Sequence, residues 1–207
     1  MKNDSGHWYD GLFFDLFIAP NQDRVFSHIR NIVTQNSSLL DVGCGTGRMA
    51  FQLSDKCARI EAVDASLKNI DLAQRKMAHR PDHALSFHHA DALDYLAQNP
   101  PHFDFAVLSY VIHEMDERKR PELLRSLAGT ADKIIMVDYL VPRPPGIRTV
   151  FDELVEFVAG RENYRHFRSF VDGNGLTGLV ETAGLKVIQE VRSANCPAHI
   201  LVTCGEC

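Results

Sequence analysis

Residues 39–50, Leu39-Leu40-Asp41-Val42-Gly43-Cys44-Gly45-Thr46-Gly47-Arg48-Met49-Ala50, constrain the fold of this chain more than any other stretch. A short apolar run meets an acid, then glycines at alternate positions, then a helix-like pattern. An apolar run entering a glycine turn marks a buried parallel strand that stops abruptly. Without a Cβ, glycine lets the turn adopt unusual dihedrals and lets a ligand lie against bare backbone. The helix that follows starts with unpaired N–H groups and a partial positive charge.

The rest of the chain repeats the strand-then-helix alternation. The pattern predicts strands at 38–43, 59–64, 84–89, 103–109, 132–139, 185–191 and 198–204. It predicts helices at 22–35, 46–55, 67–79, 117–128, 147–160 and 173–183. Ser66 is placed to cap the helix that carries Leu67, Ile70, Ala73 and Met77, and Gly184 follows the last helix as a C′ glycine would. Pro20 is expected to end the aromatic piece at 7–18. Alternation of this kind implies an α/β fold, a doubly wound and mostly parallel sheet with helices on both faces. Only a short turn around Asn195 and Pro197 links the final two strands. Such a link cannot make a parallel crossover, so one strand of the seven is expected to run antiparallel.

Spacing decides what kind of ligand the glycine turn suits. A dinucleotide fingerprint, G-x-G-x-x-G/A, would need its third small residue at position 48, which is Arg48. An acid two residues before Gly43 would repel a pyrophosphate and suits a cationic or amino-bearing ligand. Asp41, Gly43, Gly45 and Gly47 resemble motif I of the class I S-adenosylmethionine-dependent methyltransferases, and the seven-stranded sheet with one reversed strand is similar to that family's Rossmann-like fold. The resemblance runs from about residue 37 to the C-terminus. It implies S-adenosylmethionine as cofactor, with Asp41 near its amino-acid end and Gly43, Cys44, Gly45 and Gly47 against its methionine part. Asp64 and Ala65, at the second strand's exit, correspond to the ribose position. A carboxylate there can accept both hydroxyl hydrogens, or simply cap the next helix. Asp91 and Ala92, at the third strand's exit, correspond to the adenine position. Three acids at three successive exits favour this cofactor over a nicotinamide. His88 and His89 point to opposite faces of the sheet, and at least one of them reads as packing.

The segment Ser109-Tyr110-Val111-Ile112-His113-Glu114-Met115 follows the fourth strand, where this family places the methyl acceptor; Ser109 is assigned to the cofactor side. It lacks the N/D/S-P-P-Y/F tetrapeptide of enzymes that methylate exocyclic or amide nitrogens. His113 is its only side chain that titrates near neutrality, and two readings stand: a general base, or a residue packing at a helix start. Tyr110 is the second catalytic candidate, as a group positioning the acceptor. Related small-molecule enzymes cover the site with an N-terminal helix and an insert after the fifth strand. By that resemblance the chain is one domain with a helical lid at 1–36, a cofactor-binding core at 37–140, a substrate-side insert at 141–172, and a closing helix with an antiparallel strand pair at 173–207. Trp8, Tyr9, Tyr164, His166 and Arg168 are the candidate substrate contacts, and aromatic residues at such spacing equally suit a core.

Composition excludes several other classes. A net charge of −5 with no Lys/Arg run argues against a nucleic-acid partner. Five scattered cysteines suit reduced thiols in a cytoplasm better than a disulfide framework. Cys196, Cys204 and Cys207 fall short of a zinc site, so no metal is expected. The first twenty residues carry Asp4, Asp10 and Asp15, so no signal-peptide core is expected there, and no apolar run is long enough to span a membrane. The leading expectation is methyl transfer to a small-molecule acceptor. The alternatives are a non-catalytic nucleotide-binding module and an aminopropyl transferase of similar fold.

Overall fold

The computed structural model describes residues 19–158, 160–192 and 198–205. The aromatic N-terminal piece with Trp8 and Tyr9, and also Cys196 and Cys207, lie outside the described residues. In chain order the elements are α1 (Ala19–Ile32), β1 (Ser37–Val42), α2 (Arg48–Leu53), β2 (Cys57–Asp64), α3 (Leu67–His79), β3 (Leu85–His89) and α4 (Ala92–Leu96). There follow β4 (Phe103–Ser109), a 3-10 turn (Ile112–Glu114), α5 (Lys119–Ala128), β5 (Ala131–Tyr139), α6 (Ile147–Val158), α7 (Arg161–Asp172), α8 (Gly175–Ala183), β6 (Lys186–Arg192) and β7 (Ala198–Cys204). The strands make a seven-stranded sheet in the order β3-β2-β1-β4-β5-β7-β6. The chain divides into two compact units, Met1–Ala92 and Leu93–Cys207.

In the first unit β1 pairs parallel with β2, and β2 with β3. Leu39, Leu40 and Val42 of β1 are buried, as are Ile60, Ala62 and Val63 of β2, which is why these strands read as apolar runs and not as alternating ones. Val25, Phe26, Ile29 and Val33 recur at helical spacing and are all buried. Pro20 lies in the first turn of α1, where its missing N–H costs nothing; the piece at 7–18 that it is expected to end lies outside the described residues. Ser66 caps α3, its hydroxyl accepting from the Asn69 N–H at 3.3 Å.

The second unit carries β4 parallel to β5, with β7 antiparallel to both β5 and β6. Thus β7 is the single reversed strand, as the short final link requires. Gly184 ends α8 in the left-handed conformation at φ 70°, as the C′ position demands. Leu123, Leu124 and Leu127 of α5, Ile134 to Val137 of β5, and Phe167 and Phe170 of α7 form its core. Two helices and the 3-10 turn escaped the sequence reading. The helix α4 has only five residues and little periodicity to show. The sequence pattern assigns no helix to the stretch 161–168, part of the expected substrate-side insert, yet it forms α7, whose Phe167 and Phe170 supply an i, i+3 apolar face.

The glycine turn has an uneven tolerance for side chains. Gly45 (φ 54°) has open space where a Cβ would stand, whereas a Cβ on Gly47 (φ 78°) would meet the Phe87 ring at 2.7 Å. Gly45→Ala should therefore cost about 1–2 kcal/mol, from left-handed strain alone. Gly47→Ala should cost roughly 2–4 kcal/mol, because overpacking against Phe87 adds to the strain. Urea unfolding of the two variants checks the order; equal losses would show that Phe87 gives way freely.

Candidate active site

The glycine turn is held by the strand beside it. Gly43 and Cys44 N–H both donate to the Val63 carbonyl, at 2.8 and 3.1 Å, and Gly47 N–H closes the turn onto the Cys44 carbonyl at 3.0 Å. Asp64, the last residue of β2, completes the attachment. Its Oδ2 accepts from Gly45 N–H at 2.8 Å, and its Oδ1 from Ser66 N–H at 2.8 Å and from Asn69 Nδ2 at 3.4 Å. An ionised carboxylate has about four acceptor positions, so capacity remains for a further donor. The ring of His89, at the end of β3, meets the Ala65 carbonyl at 3.1 Å, which fixes the exit of β2 from the other side. His88 lies 3.4 Å from Glu61.

Asp41 has the opposite surroundings. It is 1% exposed, and its Oδ2 is buried with no hydrogen-bond partner. Burial first, and then the Asp64 charge, push its carboxyl up to about 8. Burial and the same two acids also push the Cys44 thiol far up, so it remains protonated. This buried, unsatisfied acid and the open backbone at Gly45 fit a ligand that brings positive charge and lies against the turn. Asp91 and Ala92, beyond β3, are half-buried. Thus Asp41, Gly43, Cys44, Gly45, Gly47, Asp64 and Ala65 gather around one turn.

The second unit contains a buried polar cluster. His113 (2% exposed), in the 3-10 turn, places Nδ1 2.8 Å from Asp138 Oδ1, and its backbone N–H donates to Asp138 Oδ2 at 3.3 Å. Its Nε2 lies 3.4 Å from Glu156 Oε1, and the Tyr139 hydroxyl donates to that same oxygen at 3.0 Å. Asp138 and Glu156 are 0% and 5% exposed. Burial on its own would lower the His113 pKa, but charge and hydrogen bonds from Asp138 and then Glu156 outweigh it and hold the imidazole well above its ordinary value. Burial would raise the Glu156 pKa, but His113, Tyr139 and Arg143 together hold it below its ordinary value.

Aromatic rings and two arginines enclose the cluster. The Tyr139 ring lies tilted against the His113 ring with centroids 4.9 Å apart, and Phe167 and Phe170 meet it edge-on with centroids 6.2 and 6.3 Å away. The Arg143 guanidinium lies 4.5 Å over Tyr139 and 5.7 Å from Phe167. Arg120, fully buried, donates to the carbonyls of His113, Met115 and His166, at 3.3, 2.9 and 2.6 Å, and so fastens the 3-10 turn to α7.

The other sequence candidates fall in different places. Tyr110 takes a left-handed φ of 56° and sets its ring edge-on to Tyr139 at 5.8 Å; Ser109 Oγ before it is buried without a hydrogen-bond partner. Non-glycine residues held in that conformation cluster at functional sites. Tyr164 packs on Phe157 and Phe167, within the aromatic group. His166 joins the cluster through its carbonyl, while its ring faces Glu162 at 3.9 Å. Arg168 is on the surface, paired with Glu153 and Asp172. Sequence reasoning missed Glu156, Arg120 and Arg143, which lie in the interior and share no local spacing with His113. Nor did it pair Asp138, at the end of β5, with His113. No group of His, Cys, Asp and Glu among the described residues could hold a metal.

A mostly parallel seven-stranded sheet with its last strand reversed, carrying an acid-preceded glycine turn, defines a Rossmann-like nucleotide-binding architecture. Residues 39–133 match the family described as "Methyltransferase domain". The demethylmenaquinone methyltransferase of Clavibacter sepedonicus is 29% identical over 123 residues, 58% of this chain and 49% of that protein. An O-methyltransferase of Penicillium expansum is 24% identical over 163 residues, 77% of this chain and 56% of that protein. The chain thus spans about half the length of these curated relatives. The magnesium protoporphyrin IX methyltransferase of Synechocystis superposes with a TM-score of 0.63 at 16% identity, covering 99% of this chain and 93% of that one. Mitomycin 7-O-methyltransferase gives 0.69 at 17% identity, over 94% and 57% of the two chains. Over residues 39–133 the chain is thus similar to that methyltransferase domain family, and its fold is that of the superposed methyltransferases.

The His113 cluster makes stability depend on pH in a defined way. A raised histidine pKa stabilises fully below the unfolded value of 6.5 and loses that contribution as pH climbs through the folded pKa. A depressed carboxylate pKa stabilises fully above 4.5 and loses it as pH falls through the folded pKa. The cluster should therefore contribute most between about pH 4.5 and 6.5. Glu156→Gln should lower the His113 pKa, seen by NMR titration of the imidazole, and weaken the alkaline fall in unfolding free energy. An unmoved imidazole titration would show that Glu156 does not reach it.

Proposed function

We propose that this protein transfers a methyl group from S-adenosylmethionine to a small-molecule acceptor. The observation that carries this reading is the glycine turn: an unsatisfied buried acid at Asp41, bare backbone at Gly45, and a second acid, Asp64, gripping the Gly45 N–H. The cofactor, when bound, supplies a methyl group on a positively charged sulfur, open to in-line attack. Asp41, Gly43, Cys44, Gly45 and Gly47 take its amino-acid end, Asp64 and Ala65 its ribose, and Asp91 and Ala92 its adenine.

The acceptor must be deprotonated as it is methylated, and the His113 cluster is the set of groups suited to that task. Asp138 fixes the ring through Nδ1, leaving Nε2 as the working nitrogen. With Glu156 at Nε2 the imidazole stays charged. An acceptor hydroxyl or amine that takes the place of Glu156 there removes one of the two carboxylate partners, lowers the imidazole pKa, and turns His113 into a base. Burial excludes water from this exchange. Tyr110 positions the acceptor, and Tyr164 and His166 belong to the wall that selects it, with Arg168 as an outer contact on the insert at 141–172; Trp8 and Tyr9 lie outside the described residues. The thiols of Cys44, Cys57 and Cys204 are free, which supports a cytoplasmic setting, and the net charge of −5 supports a metabolite over a nucleic acid. Among the described residues no helix is long and apolar enough to cross a membrane.

Incubation with labelled S-adenosylmethionine and fractionated metabolite pools should yield S-adenosylhomocysteine. Tight cofactor binding without turnover on any pool would instead favour a non-catalytic binding module. Asp64→Ala should weaken cofactor binding by tenfold or more, since about 1.4 kcal/mol, the size of one charge-assisted hydrogen bond, corresponds to tenfold. Unchanged affinity would remove Asp64 from the ribose position. His113→Ala should lower turnover about 100-fold or more while cofactor binding is retained; full activity would demote His113 to packing.

A further inference from the structure

We propose that Asp41 is the charge-selecting residue of the glycine turn: it holds a proton in the free protein and surrenders it when a cationic ligand binds, so that binding a positive charge and releasing a proton are one event. The inference rests on the cofactor site proposed above and goes beyond it, because it assigns the two acids of the turn opposite protonation states.

The assignment follows from their hydrogen bonds. Asp64 accepts two backbone N–H groups and the Asn69 amide, which is the environment of an anion. Asp41 Oδ2, buried on β1, accepts nothing. An ionised carboxylate at 1% exposure, with one oxygen buried and given no donor among the described residues, and within reach of a second negative charge, is strongly disfavoured. When two neighbouring acids differ in this way, the one without donors keeps the proton.

Among the described residues, the groups around it supply no alternative counter-charge. Asp64 faces it from β2, and the Cys44 thiol from the turn. Arg48 at the start of α2 is bound to Asp23 of α1 at 2.8 Å, and Lys76 of α3 donates to Thr46 Oγ1 at 2.9 Å. Neither cation contributes to the shift at Asp41, which burial and Asp64 alone produce. The missing positive charge therefore comes from the ligand. The carboxyl O–H bond breaks, the proton passes to solvent, and the carboxylate pairs with the ligand's ammonium or sulfonium. The sign follows: raising pH toward 8 favours the ionised, ligand-accepting form, and the gain ends once Asp41 is ionised in the free protein.

Calorimetric titration tests this without the acceptor and without turnover. S-adenosylmethionine is titrated into the full chain at pH 6.5, where its own amine is protonated, in buffers of different ionisation enthalpy. Close to one proton per site should be released, and the dissociation constant should fall about tenfold per pH unit between pH 6 and 7, flattening above 8. Adenosine, which carries no charge, should release none. In Asp41→Asn the proton release and the pH slope should vanish, and the preference for S-adenosylmethionine over adenosine should drop tenfold or more. Should that variant fail to fold, the wild-type proton count decides alone. S-adenosylmethionine binding with no proton release, or an unchanged slope in Asp41→Asn, overturns this proposal and leaves the cofactor reading standing. No binding of S-adenosylmethionine at any pH overturns the cofactor reading itself, and this proposal with it.

Discussion

Asp64 holds the glycine turn by its backbone. A turn with three residues at positive φ has little to keep it in place, because its glycines bring no side chains to pack. One carboxylate oxygen on the Gly45 N–H and the other on the Ser66 N–H tie the end of β1 to the start of α3 through a single residue at the end of β2. The Phe87 ring then fills the space that a side chain on Gly47 would need. Charge-assisted bonds to backbone donors are among the stronger ones available. The open backbone at Gly45 depends on them, because a turn free to collapse would bury its own N–H groups.

The two acids of that turn make an instructive pair. They sit at the ends of adjacent parallel strands and look alike in the sequence. Asp64 ends where a helix begins, so N–H groups converge on it. Asp41 lies inside the sheet, where no donor among the described residues reaches its buried Oδ2. Position relative to backbone donors, not residue type, separates an anchoring anion from a proton-holding acid.

In the second unit the same logic produces a different device. His113 is clamped by carboxylates on both ring nitrogens, from β5 and from α6. Arg120 binds the carbonyls of His113, Met115 and His166 where the 3-10 turn meets α7. The helix α6 contributes Glu156 to this interior while Leu154, Phe157 and Val158 remain exposed, so a polar contact fixes it there as much as apolar burial does. A buried polar network that is fully bonded orients its members, and one that loses a partner changes their protonation.

Much of the fold was legible because its causes are local. The uninterrupted apolar runs of β1, β4 and β5, the cap at Ser66, the glycine at 184 and the short link before β7 are each dictated by a few neighbouring residues. The spacing of Asp41, Gly43, Gly45 and Gly47 excluded a dinucleotide turn for the same reason. The His113 cluster could not be read that way. Asp138 lies 25 residues from His113, and Glu156 lies on a helix whose pattern says only that one face is apolar. Helix α7 was hidden because its apolar face is two phenylalanines set among charged residues. By itself the sequence determined the seven strands, most of the helices between them, the reversed last strand and the acid-flanked glycine turn, since dihedral preference and periodicity act between near neighbours. Only the tertiary structure decided which acid is anchored, which is left without donors, and which side chains surround His113, because burial and hydrogen-bond supply are properties of the packed interior.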